Sequence, residues 1–72
     1  MRLTLENVSS KTFRPFDKND WMAYAGCESK MPLICSEDDG DYIIDGDWVS
    51  WYGVDGDYEE MMKINDLPHE PV

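Results

Sequence analysis

The sequence predicts an α+β domain: a small antiparallel β-meander of about 3–4 strands plus an N-terminal strand, packed against one or two short helices. Three observations lead to it. Gly40, Gly46 and Gly56 each follow an Asp, and short runs rich in β-branched and aromatic residues lie between them. A segment in the first half carries a matched set of helix-start signals. The chain has only 72 residues, which suits one small domain whose thin core leans on large rings such as Trp21, Trp48 and Trp51. The expected organisation is one domain over 1–66 and a frayed tail over 67–72 containing Pro68 and Pro71.

Each element has its own signal. From Arg2 to Asn7, Leu3 and Leu5 alternate with Arg2, Thr4 and Glu6, the pattern of a strand with one buried face. Asn7 to Ser10 is turn-rich and ends it. Lys11 to Pro15 is extended, because the residue before a proline avoids the helical region. Asp17 then stands at an N-cap position with Asp20 three residues on, and Phe16 and Trp21 have the spacing of a hydrophobic staple. This predicts a helix over 18–25, with Gly26 as its left-handed C′ residue and Trp21, Ala25 and Met22 facing the core.

The second half reads as sheet. Strands are expected over 32–36, 41–44 and 47–54. Asp45-Gly46 is the hairpin dipeptide of a type I′ turn, in which both central residues need positive φ. Tyr58 to Asn65 fits two templates. Alternation would put Tyr58, Glu60, Met62 and Ile64 on one face of a strand. Helical spacing would gather Tyr58, Met61, Met62 and Asn65. Good helix formers and the capping-box spacing of Asp57 and Glu60 favour the helix.

Charge narrows the function. The net charge is −10, and it is lopsided: residues 1–35 sum to +1, whereas residues 36–72 set twelve acids against Lys63 alone, a net of −11. Direct nucleic-acid binding is not expected, because phosphate recognition needs clustered Lys and Arg. Anionic membranes are disfavoured for the same reason. The favoured partner is a basic protein, in particular one that itself binds nucleic acid. An enzyme is not expected. Carboxylates on hairpin turns are solvated, His69 sits in the tail, and Cys27 neighbours Glu28 with no fixed cation nearby. No cofactor motif is present. The stretch from Asp55 to Asp66 imitates a calcium loop, but Glu60 replaces the required Gly, Asp66 the bidentate Glu, and a strand precedes it where a helix should. Two cysteines and one histidine fall short of a zinc set. The N-terminus lacks the apolar stretch of a signal peptide, and no run approaches membrane-spanning length, so a cytoplasmic protein with reduced thiols is expected.

The positive signal lies in residues 36–60, which hold ten carboxylates and five Tyr or Trp rings. Asp39/Asp41, Asp45/Asp47 and Asp55/Asp57/Glu59 are spaced by two, which on a strand puts charges roughly 6.6–6.8 Å apart on one face. Such rows imitate successive phosphates of a nucleic-acid strand. Together with Asp38 and Glu60, and with Trp48 and Tyr52 as aromatic anchors, these residues form the candidate partner-binding face. In size, acidity and its tight sheet-and-helix body the chain resembles two groups of proteins. One comprises phage-encoded inhibitors, DNA mimics among them, that block host restriction, CRISPR, polymerase or repair proteins. The other comprises acidic immunity proteins that neutralise basic nuclease toxins. The likeness is one of composition and size, and it implies a non-enzymatic inhibitor, acting in the host cytoplasm if phage-encoded. The alternatives are an antitoxin-like or accessory subunit and a weak cation-binding module.

Overall fold

The computed structural model describes residues 2–71; Met1 and Val72, the outermost residues of the expected domain and tail, lie outside them. The elements in chain order are α1 (Leu5–Ser9), β1 (Arg14–Pro15), α2 (Lys18–Ala23), β2 (Leu33–Glu37), β3 (Gly40–Asp45), β4 (Trp48–Tyr52) and β5 (Tyr58–Lys63), closed by a 3₁₀ turn at Ile64–Asp66. The five strands form one antiparallel meander in the order β1-β2-β3-β4-β5. The α+β class and the three central strands agree with the sequence reading. No helix among the described residues is long and apolar enough to cross a membrane.

Register decides which side chains share a face. Leu33, Ile44, Val49 and Met62 stand opposite one another across the sheet, as do Cys35, Tyr42, Trp51 and Glu60. These rows form the first face. Leu3 and Val8 pack on it with Tyr42 and Val49, surrounded by Phe13, Ile64 and Leu67 among others. The alternate residues form the second face, where Ile34 and Ile43 are buried. The segment after β1 covers part of that face. Tyr24 rests on Tyr52 with ring centroids 4.7 Å apart. The backbone N–H groups of Glu28 and Ser29 donate to the Asp45 carboxylate at 3.1 and 2.7 Å. Both cysteines are half-buried and form no disulfide.

Four expectations need correction. The N-terminal strand is a helix. Thr4, in extended backbone, accepts from the Asn7 N–H and caps α1, and Leu3 is fully buried while Leu5 is exposed. A short alternation yields to a cap when no neighbouring strand is there to pair. The second helix keeps its predicted start. Asp17 and Asp20 exchange both bonds of the capping box, and Phe16 meets Trp21 edge-on at 5.3 Å. It ends early, however, at Tyr24, and Gly26 has no positive φ. Trp21, Met22 and Ala25 are exposed, and Tyr24 is the side chain that reaches the sheet. The hairpin turn is centred on Gly46-Asp47, since Asp45 pairs with Trp48. Only Gly46 has positive φ there (+63°), the type II′ pattern. Finally, Tyr58 to Lys63 is a strand, because pairing along β4 outweighs helix propensity in so short a segment.

Residues 67–71 do not hang free. The Leu5 N–H donates to the Pro68 carbonyl at 2.8 Å. Glu6 accepts from the Glu70 N–H and meets His69 Nδ1, each at 2.6 Å. Leu67 joins the rim of the core.

Candidate acidic binding surface

A meander places successive connections at opposite ends of its sheet. The β2–β3 turn (38–39) and the β4–β5 loop (53–57) therefore share one end, and the β3–β4 turn (46–47) lies at the other, roughly 15 Å away for strands of this length. The two connections at the shared end touch. Gly40 has φ +127° and lies so close to Tyr52 and Gly53 that any Cβ would collide with the Tyr52 carbonyl. The loop is closed by Gly53 N–H donating to the Asp57 carbonyl at 2.9 Å and Gly56 N–H donating to the Gly53 carbonyl at 2.8 Å.

The shared end gathers Glu37, Asp38, Asp39, Asp41, Asp55, Asp57 and Glu59. Two cations answer them. Lys11 Nζ lies 3.3 Å from Glu37, and Arg2 Nε lies 3.2 Å from Asp39. Asp39 also accepts the Tyr42 hydroxyl at 2.7 Å, and its backbone carbonyl accepts the Trp51 indole N–H. Burial first, and this bond to Asp39 second, push the Tyr42 phenol up to about 12. Asp41 accepts the Tyr24 hydroxyl at 2.6 Å. Asp38, Asp55, Asp57 and Glu59 are exposed and make no side-chain hydrogen bond or ion pair among the described residues. They are the carboxylates at this end most open to a partner.

The opposite end holds Asp45 and Asp47. Asp45 is committed to the backbone of the 28–29 segment, while Asp47 is exposed. Glu60 lies on the first face, where it accepts the N–H groups of Arg2 and Leu3 at 2.9 and 3.1 Å. The two-residue spacings thus do not form one row. They split between ends and faces, and Asp39, Asp41, Asp45 and Glu60 tie the fold together. Trp48 and Tyr52 both stand on the second face, at opposite ends of β4. No protein-family model, curated protein sequence or solved structure matches this chain.

Sequence reading missed two residues of this surface. Tyr58 and Met61 are exposed, on the same face as Trp48 and Tyr52. The pairing of Tyr52 with Tyr58 and of Trp51 with Glu60 leaves Glu59 as the extra residue of a bulge, which puts Tyr58 and Met61 on that face. Only the period-three spacing of Tyr58 and Met61 hints at it, and that spacing equally fits a helix. Between the 24–28 segment and β4–β5 runs a groove made of two overlapping hollows of about 140 and 230 Å³. Tyr24, Cys27, Asp45, Ser50, Tyr52 and Met61 line the first; Glu28 and Trp48 help line the second. Burial first, and the Asp45 charge second, push the Cys27 thiol above its ordinary value, the reverse of what a thiolate nucleophile needs. No group of three or more His, Cys, Asp or Glu among the described residues is arranged to hold a metal ion.

Proposed function

We propose that this chain is a small acidic, non-enzymatic binding protein, an inhibitor of the phage-encoded kind that occupies a basic nucleic-acid-binding surface of a target protein. The observation that carries the reading is the shared end of the sheet. Seven carboxylates converge there against two cations, and four of them are both exposed and unpaired among the described residues. A lobe of this sign attracts a Lys/Arg-lined groove from a distance, speeds encounter, and makes binding fall with salt. The partner face is this end together with the aromatic strip of the second face, rather than one linear row of acids.

The test is capture from cell lysate with identification of what is caught. The expected result is one or more nucleic-acid-binding proteins, released by moderate salt and by added duplex DNA. They should be lost when Asp38, Asp55 and Asp57 become Asn and Glu59 becomes Gln. Capture insensitive to DNA and to that quadruple variant would overturn the reading. It would favour an accessory subunit seated through apolar contacts, for which exposed Trp21 and Met22 on α2 are the specific observation.

A further inference from the structure

The groove on the second face has a chemistry of its own. Its floor is apolar, made by Met61 and Ile43, with Ser50 between them. The Tyr24 and Tyr52 rings wall one hollow, and the Trp48 ring walls the other. Its charged groups are the carboxylates of Asp45 and Glu28, and no Lys or Arg lines either hollow. Asp45 spends one lone pair of each oxygen on a backbone N–H, but a carboxylate offers about four acceptor sites, so capacity remains. Aromatic faces beside carboxylates above an apolar floor suit one kind of side chain: a flat cation on an aliphatic stem.

We infer that this groove receives an arginine side chain of the basic partner, its stem along Met61 and its guanidinium between the Trp48 ring and the Asp45 and Glu28 carboxylates. The inference rests on the proposed function and adds where the anchoring residue goes. Arginine fits better than lysine because a guanidinium stacks on rings, sheds water more readily and pairs with carboxylates through a planar fork. Arginine is also among the residues that dominate interface energetics. The molecule already samples this contact. Lys63 holds its ammonium 5.6 Å from the Trp48 ring centroid, an internal cation that an incoming guanidinium would displace.

The experiment uses the intact protein with tetra-arginine and tetra-lysine peptides at low salt, followed by backbone and indole N–H NMR shifts. Tetra-arginine should move the Trp48 indole and the Ser50 and Met61 amides, and bind several-fold more tightly than tetra-lysine. Trp48→Leu should weaken tetra-arginine binding roughly fivefold and abolish the preference over lysine. Lys63→Gln should strengthen binding more than Lys18→Gln, which removes the same charge from a residue that does not line the groove. Amide dispersion confirms that each variant is folded. If arginine shifts only the acidic end around Asp38, Asp55 and Asp57, the groove assignment falls and the electrostatic reading stands. If neither peptide shifts anything, both fall.

Discussion

Gly40 carries two constraints at once. Its φ of +127° is open only to glycine at low cost, and the Tyr52 carbonyl fills the space where a Cβ would go. Gly40→Ala should therefore destabilise the protein by about 3 kcal/mol, from backbone strain plus displacement of β4. The same change at Gly46, where φ is +63° but nothing lies within reach, should cost only about 1 kcal/mol. Urea denaturation of both variants checks the difference; equal losses would mean that the close approach to β4 is unimportant. The acids teach a related lesson at this scale. Asp17 and Asp20 were legible because their partners are three residues away. Glu60 was not, because its partners are 58 and 57 residues away. An exposed-looking carboxylate and a structural one have the same sequence signature until the fold brings a donor to it.

Elements were legible where local chemistry and tertiary packing agree. The α2 start is one such place, and the β2–β4 meander is another. Trp21 marks where agreement ends. Its staple with Phe16 forms, yet more than a third of its surface stays exposed, so it does not join helix to sheet. Trp21→Ala should cost about 1 kcal/mol, the worth of one edge-on aromatic pair, rather than the 3–5 kcal/mol of a buried ring. Thermal or chemical melting settles it, with Val49→Ala, fully buried, as the larger loss to compare. β5 shows the opposite case. Its Glu, Met and Lys suit a helix, but β4 offers a row of unpaired backbone groups, and satisfying those decides the matter. The bulge at Glu59 and the 3₁₀ turn at Ile64–Asp66 then shorten the free edge of β5, which guards it against pairing with a stranger.

At the scale of the molecule, charge is the governing quantity. A net charge of −10 sits in a body of 39 × 24 × 19 Å, so the carboxylates repel one another and oppose compactness. Salt at about 0.2 M brings the screening length below 10 Å. It should raise the melting temperature by about 5 °C over a low-salt buffer, roughly 1 kcal/mol for a domain this small. A fall with salt would mean that local pairs such as Arg14–Asp20, at 2.6 Å, outweigh the general repulsion. Partner binding should move the other way, weakening as salt rises, because there the charges attract.

The sequence by itself determined the class of fold, the central meander, the α2 cap and the strong negative charge of the second half. Each of those depends on residue type and on neighbours a few positions away. Only the tertiary structure decided which acids face outward, that Tyr58 to Lys63 pairs as a strand, and that Trp48, Tyr52 and Met61 share a groove with Asp45. Those depend on cross-strand register and on contacts between distant parts of the chain. A one-residue bulge is enough to change them, and composition does not mark where a bulge falls.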